Sequence, residues 1–312
     1  EPYRRQRQMC IRDRFTTVQD GGRFGGMSLG FPQCGAMDLK AAKTANLLIG
    51  NNPNDAVLEM TYMGIAALFR EDCAIALSGA HFKAAINTVP IKTNKAYKIK
   101  AGDVLSMREA ISGARAYLAI SGGIDVPQML GSRSTDLKLK QCGFDGRALK
   151  SGDEIKIFGS GIPSDIERRE IPEFEYANEI TLRCVLGPQD DMFTSKSLET
   201  LFSEEYKVSA EADRMGIRLS GAVLKCKGTP DIISDGIAFG AVQVPKNGQP
   251  IILAADRQTT GGYAKPITVI TADLPLLAQA KPGNTIRFKP VSLAEAEAAA
   301  KEEQRFFDGL RF

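Results

Sequence analysis

Ile99-Lys100-Ala101-Gly102-Asp103-Val104-Leu105 is the stretch on which the reading of the fold turns. Its pattern returns as Leu149-Lys150-Ser151-Gly152-Asp153-Glu154-Ile155 and as Ala280-Lys281-Pro282-Gly283-Asn284-Thr285-Ile286. Each copy reads K-x-G-[D/N]-x-[I/L], a tight turn that delivers the chain into a strand. Its recurrence near the ends of both halves points to two related β-domains. Around these turns lie short β-type runs: Ala74–Leu77, Ala116–Ile120, Ile180–Leu186 and Ile251–Leu253. Each is bounded by turn residues, as strands are. Asn247-Gly248, between Val242-Gln243-Val244 and Ile251-Ile252-Leu253, is a hairpin signal, because both residues tolerate the positive φ of tight primed turns.

Three helices are expected. Asp38 can N-cap a segment through Leu48, with Leu39, Ala42, Ala45 and Leu48 on one face and Gly50 as a stop. Asp273 can cap Leu274–Ala280, where Pro275 sits in the tolerant first turn. Ser292-Leu293-Ala294-Glu295 is a capping box opening an Ala/Glu-rich C-terminal helix. Helices do not alternate regularly with strands, so a doubly wound α/β fold is disfavoured.

The chain has 312 residues and a mass of 33.7 kDa. A chain of that size buries about three-quarters of its unfolded surface and favours two domains over one. The hydrophobic (43%) and charged (25%) fractions exclude a disordered chain. No apolar run approaches the ~18 residues of a membrane-spanning helix. The charged N-terminus is followed by no apolar h-region, so no secretory signal is expected. The six cysteines are widely spaced, without a C-x-x-C pair, and His81 is the single histidine. They read as the buried thiols of a cytoplasmic protein rather than as zinc ligands.

Glu1–Arg14 differs from the rest. Its five Arg, against Glu1 and Asp13, account for the whole formal charge of +3, so Phe15–Phe312 is electrically balanced. The segment reads as a non-native tail, resembling translated sequencing-adaptor sequence, and is set aside from fold reasoning. A balanced remainder argues for a small-molecule role and against nucleic acid or a membrane surface. The expected organisation is then a first β-domain over 15–160, a Gly/Pro/charge-rich linker over 161–175, a second β-domain over 176–291, and the C-terminal helix over 292–312.

Familiar catalytic motifs fail on context. Gly26-Met27-Ser28-Leu29-Gly30 matches G-x-S-x-G, but Gly-rich polar sequence precedes it and Phe31-Pro32 follows, instead of the strand and helix a nucleophile elbow needs. There is no G-x-x-x-x-G-K-[S/T] and no G-x-G-x-x-G opening a helix. His81 follows a strand and reads as a hydrogen-bonded histidine rather than a site-lining one. Polar clusters in apolar context carry more. Leu253–Lys265 follows a strand directly and gathers Asp256, Arg257, Gln258, Thr259, Thr260, Tyr263 and Lys265 around Gly261-Gly262. Glycines let backbone approach a ligand, and Arg and Lys suit anionic groups. Ser209–Gly216 and Gly131–Asp136 are similar mixed loops, each readable as a structural ion-pair turn.

Taken in order, these segments resemble a known family. Thr16-Thr17-Val18-Gln19-Asp20-Gly21-Gly22-Arg23, Gly35-Ala36-Met37-Asp38, Gly122-Gly123-Ile124-Asp125-Val126-Pro127, Leu130–Asp136, Gly187-Pro188-Gln189-Asp190, Asp213-Arg214-Met215-Gly216, Gln243-Val244-Pro245, Asp256–Tyr263 and Ala272-Asp273-Leu274-Pro275 resemble the KipA-like, carboxyltransferase-type family. That family includes the C-type component of 5-oxoprolinase, the allophanate hydrolase subunit 2 group and the carboxyltransferase part of urea carboxylase. The resemblance is collinear from about Phe15 to Val291. It implies a mainly β fold of two cyclophilin-like β-barrel domains with a few short helices. It also implies a KipI-like partner (the B-type component of 5-oxoprolinase) and a further partner, the A-type component. With them the chain would take part in ATP-dependent opening of 5-oxo-L-proline (pyroglutamate) to L-glutamate. Two further readings belong to the same family: a regulatory protein antagonising a kinase inhibitor, and a carboxyltransferase component working on urea- or allophanate-like substrates. The last would need a biotinylated domain in trans, since no biotin-carrier segment is recognisable here.

A lactam is a poor electrophile, and phosphorylating its oxygen turns that oxygen into a leaving group. The step needs cations over developing negative charge. Arg257, Lys265 and Arg214 are the candidates. Asp256 or Asp38 would position a base or a metal whose identity is open, while Gln243, Gln258, Thr260 and Tyr263 would hydrogen-bond a small polar substrate. Without a P-loop, ATP is expected at an interface between subunits or in a partner. The family more often carries an acidic residue where His81 stands and a proline where Ala264 stands, which predicts a less rigid Gly-Gly-Tyr loop.

Overall fold

The computed structural model describes residues 7–12, 15–159 and 161–310; of 7–12 only the backbone is described. The chain is mainly β, with few helices, and divides into two compact units. The first is formed chiefly by Cys34–Tyr176 with the segment up to Phe24, the second by Ala177–Asp308 with Gly25–Gln33.

The first unit is built on two long strands. Its elements are β1 (Arg7–Arg12), β2 (Thr17–Gln19), α1 (Leu39–Leu48), β3 (Val57–Thr61), β4 (Ala66–Phe69), β5 (Cys73–Ile86), β6 (Val89–Pro90), β7 (Lys95–Ile99), β8 (Val104–Ile120) and β9 (Glu154–Ile157). They form one nine-stranded sheet in the order β2-β3-β8-β4-β1-β9, with β5 branching from β8 and carrying β6 and β7. Alternation explains the burial. Cys73, Ile75 and Leu77 enter the core shared with Leu58, Met60, Leu118 and Ile120. Ala74 and Ala76 point the other way, onto Ala41, Ala42, Ala45 and Leu48 of α1. Small residues on both surfaces let the helix lie close to the sheet. Asp38 caps α1 as expected, its Oδ1 accepting from the Ala41 N–H at 2.9 Å. The β5–β8 register slips at Gly79, His81 and Phe82, irregularities that bend the long ribbon.

The segment expected as a linker is ordered against this unit. Ile166 is buried, the Arg169 carbonyl accepts from Ala96 N–H, and Ile171 N–H donates to the Asn94 carbonyl. Glu1–Arg14 lies outside the described residues except for β1, whose backbone pairs antiparallel with both β4 and β9.

The second unit closes on itself. Its elements are β10 (Glu179–Leu186), α2 (Ser195–Ser203), β11 (Tyr206–Val208), β12 (Gly216–Ser220), β13 (Asp231–Gly236), β14 (Ala241–Gln243), β15 (Ile251–Leu253), β16 (Thr260–Tyr263), β17 (Ile267–Val269), α3 (Leu274–Ala278), β18 (Thr285–Pro290) and α4 (Leu293–Gly309). Seven strands make a closed barrel, β10-β17-β14-β15-β12-β11-β18, and β13 and β16 form a separate two-stranded ribbon. Ile180, Leu182 and Cys184 alternate inward along β10 while Glu179, Thr181 and Arg183 face outward.

Local expectations meet the structure unevenly. The capping box holds, with Ser292 N–H donating to Glu295 Oε2 at 2.8 Å at the start of α4. The hairpin joins β14 to β15, but its turn runs Pro245–Gly248 with only Gly248 at positive φ (72°), so it is not a primed two-residue turn. Asp273 does not cap α3. Its carboxylate is taken by the Arg183 backbone N–H at 2.7 Å and by the Arg183 guanidinium at 2.6 Å, a charge-assisted pairing that outcompetes a neutral cap. The helix α2, capped by Thr194, is an element beyond the three expected from the sequence. No helix of the described residues is long and apolar enough to cross a membrane.

Candidate functional site

The second unit gathers eight of the nine candidate residues. The chain leaves β15 through buried Ala254 and Ala255, and two backbone bonds brace it: Ala254 N–H to the Met215 carbonyl and Asp256 N–H to the Arg214 carbonyl. Across the same junction the Arg214 guanidinium grips the Asp256 carboxylate side-on, Nε to Oδ2 and Nη2 to Oδ1, both at 2.8 Å. Asp213 Oδ1 accepts from the Met215 and Gly216 N–H groups and so shapes the turn that presents Arg214.

Arg257 turns inward and is buried. Its Nε donates to the Ile237 carbonyl at 3.0 Å, Nη1 to the Ala254 carbonyl at 3.3 Å and Nη2 to Gln33 Oε1 at 3.0 Å. The guanidinium carbon lies 5.4 Å from the centroid of the Phe239 ring. Burying a cation is costly unless its donors are used, and here carbonyl dipoles, an amide and a ring face use them. Arg214, Asp256 and Arg257 are thereby tied into the scaffold of the loop.

The loop then becomes β16 of the ribbon. A Cβ on Gly261 would lie 2.6 Å from Gln243 Nε2 and 2.7 Å from Ile237 Cδ1, so only glycine lets the ribbon approach Gln243 this closely. Buried Gln243 donates to the Tyr263 carbonyl at 3.3 Å. Lys265, only 3% exposed, donates from Nζ to Asp235 Oδ2 at 3.2 Å, while the Asp235 side chain is 53% exposed. The Lys265 hydrogen bond, followed by that of Gly236 N–H, holds the Asp235 carboxyl below the usual carboxylate range. Gln189 Oε1 accepts from Lys265 N–H, and a Cβ on Gly187 would sit 2.1 Å from the Lys265 carbonyl. The Gly187–Asp190, Asp213–Gly216, Gln243–Pro245 and Asp256–Tyr263 motifs thus meet in one place. Gln258 is half-buried, Thr260 and Tyr263 are exposed, and their side chains make no hydrogen bond to the described residues. These three, with the Lys265–Asp235 pair, form the face open to a small polar molecule.

Asp38 belongs to the first unit, where it is 1% exposed and spent on capping α1. Its backbone N–H donates to Tyr117 Oη, which donates in turn to Glu59 Oε2. Burial, then the neighbouring Glu59 and Asp38 carboxylates, push the Tyr117 hydroxyl well above its ordinary pKa. No group of three or more His, Cys, Asp or Glu placed to hold a metal occurs among the described residues.

The remaining motifs resolve simply. Gly26–Gly30 makes a single 3-10 turn with Ser28 exposed and no strand before it. His81 Nε2 donates to the Phe174 carbonyl at 2.7 Å, and the ring packs edge-on against Tyr176. Ala264 N–H donates to the Pro230 carbonyl at 2.9 Å, a bond proline could not make, so the loop is pinned where a proline was expected to stiffen it. Sequence reasoning misses Asp235, because Asp231–Gly236 lacks strand-like patterning, and it takes Gly131–Asp136 for an ion-pair turn. That loop instead wraps the Asp20 carboxylate, which accepts from Gly22 N–H, Ser132 Oγ, Arg133 N–H and Ser134 Oγ at 2.5–2.8 Å.

A mainly β chain carrying this loop constellation corresponds to a carboxyltransferase-type domain. Residues 29–290 match the family model described as "Carboxyltransferase domain, subdomain A and B", and the chain belongs to that family. It is 40% identical to the C-type 5-oxoprolinase component of Escherichia coli, over 95% of this chain and 94% of that protein. It is 38% identical to the C-type 5-oxoprolinase component of Haemophilus influenzae over the same shares. The solved structure of the K. lactis urea amidolyase superposes with a TM-score of 0.92 at 30% identity, covering 99% of this chain but 20% of that one.

Proposed function

We propose that this chain is the C-type component of a cytoplasmic, ATP-dependent 5-oxoprolinase that opens 5-oxo-L-proline to L-glutamate together with A- and B-type partners. The observation that carries this reading is end-to-end similarity to two proteins named as the C-type component of 5-oxoprolinase, each matched over 94% of its length. Urea amidolyase, by contrast, is matched over a fifth of its chain.

Ring opening adds water to the lactam carbonyl, breaks the C–N bond and leaves an amine that must gain a proton. Negative charge builds on the former carbonyl oxygen, and a cation held in low dielectric stabilises it strongly. Lys265 is that cation in this reading: buried, and paired to a half-exposed carboxylate that a substrate can displace. Gln243, Gln258, Thr260 and Tyr263 orient the ring, while Arg257 and the Arg214–Asp256 pair hold the loop in place. The chain's buried guanidinium at 257 is already hydrogen-bonded, so ATP phosphate is assigned to the partners and not to it. No covalent biotin is assigned to this chain.

The test is glutamate formation from 5-oxo-L-proline and ATP by the reconstituted complex, with and without this chain, and with urea in place of 5-oxoproline. The reading predicts turnover that needs this chain and 5-oxoproline. Turnover of urea alone, or unchanged turnover without this chain, contradicts it.

A further inference from the structure

A second set of motif loops converges in the first unit, and the lactam reading leaves it unused. Arg133 lies at its centre. Its backbone N–H is clamped to Asp20 Oδ2 at 2.5 Å, and Ser132 and Ser134 on either side are locked to Asp20 Oδ1. The guanidinium carbon lies 5.2 Å from the centroid of the Phe158 ring. Phe158 is held in turn by Gly122-Gly123: its N–H donates to the Gly123 carbonyl at 3.0 Å, and a Cβ on Gly122 (φ 87°) would sit 2.9 Å from the Phe158 carbonyl group.

The side chain is therefore oriented from both ends, yet its Nε is buried and has no hydrogen-bond partner. A buried donor left unused costs about 1–3 kcal/mol, which an arriving acceptor recovers. Nε–H and one Nη–H form the side-on fork that matches two carboxylate oxygens. Asp55 is the neighbouring charge. Burial raises its pKa, while Asn52 N–H and then Arg133 draw it down. A nearby carboxylate tolerates a monoanion on Arg133 better than a phosphate dianion.

We propose that Arg133, shelved on Phe158 and braced by Asp20, is the receptor for a small monocarboxylate on the first unit. The site needs only the carboxylate, so it does not depend on the lactam chemistry proposed above.

The experiment is calorimetric titration of the full chain with four probes: 5-oxo-L-proline, cyclopentanecarboxylate (carboxylate without lactam), 2-pyrrolidinone (lactam without carboxylate) and inorganic phosphate. Both carboxylates should bind, pyrrolidinone should not, and phosphate should bind more weakly than either carboxylate. Arg133→Gln should weaken both carboxylates about tenfold or more, the worth of a charge-assisted fork. Arg133→Lys, which keeps the charge and loses the fork, should fall between. Asp55→Asn should tighten both, a gain that misfolding cannot mimic. The Arg133 Nε–H resonance should shift on adding carboxylate. Equal carboxylate binding by Arg133→Gln, absence of binding by both carboxylates, or tighter phosphate binding overturns the site. A reconstituted complex that fails to turn over 5-oxoproline while cyclopentanecarboxylate still binds would overturn the lactam reading and leave this site intact.

Discussion

Asp38 separates structure from chemistry within one side chain. As the N-cap of α1 it should cost about 0.5–2 kcal/mol when replaced by Ala. Asp38→Asn keeps an oxygen for the Ala41 N–H, so its melting temperature should stay near wild type. Turnover lost in the Asn variant would then mark a substrate contact, and retained turnover would leave the residue a cap. Arg214 and Asp256 are each about one-eighth exposed. Removing either strands the other, at about 3 kcal/mol by analogy with buried pairs. The double variant should cost less than the sum of the singles, and a denaturation double-mutant cycle reads that coupling. Cys184 tests burial directly. Burial, then the Asp273 carboxylate, push its thiol up to about 12 from 9.0. Above pH 9 the unfolded chain releases a proton that the folded chain keeps, so stability should fall as pH rises from 9 towards 12. Cys184→Ala should flatten that alkaline slope in urea titrations at stepped pH.

At the scale of elements, the K-x-G-[D/N] turn is one device used three times. Lys100, Lys150 and Lys281 carbonyls accept from the N–H three residues on, and their own N–H groups donate to the Asp103, Asp153 and Asn284 side chains at 2.7–2.9 Å. Gly102, Gly152 and Gly283 stand at φ 96°, 91° and 89°, with open space where a Cβ would be. Replacement by Ala should therefore cost only the left-handed backbone term, about 1–2 kcal/mol each by chemical denaturation, with Asn milder. These turns were legible because their chemistry is local, and so were the caps at Asp38 and Ser292. The Asp273 cap failed because Arg183 lies 90 positions away in sequence, and no local pattern announces a distant partner. Asp235 and the Asp20 hub stayed hidden for the same reason: each becomes a feature only when separate loops meet. The ion-pair reading of Asp213–Gly216 succeeded because Arg214 and Asp256 both sat in loops already marked by mixed charge.

For the whole molecule, charge balance over Phe15–Phe312 and the family's loop motifs point the same way, to a small polar substrate rather than a polymer or a lipid surface. The central claim is that this chain's ribbon face, with Lys265 at its base, works in 5-oxoproline hydrolysis. Lys265→Met is suited to test it, because the carboxylate it leaves behind, Asp235, is half-exposed and can be solvated. Its fold should survive with a near wild-type melting temperature. The decisive measurement is kcat for ATP-dependent glutamate formation by the reconstituted complex carrying Lys265→Met. The account predicts a fall of about 100-fold or more, the scale of one lost transition-state electrostatic contact. A folded variant that turns over 5-oxo-L-proline at the wild-type rate would contradict it.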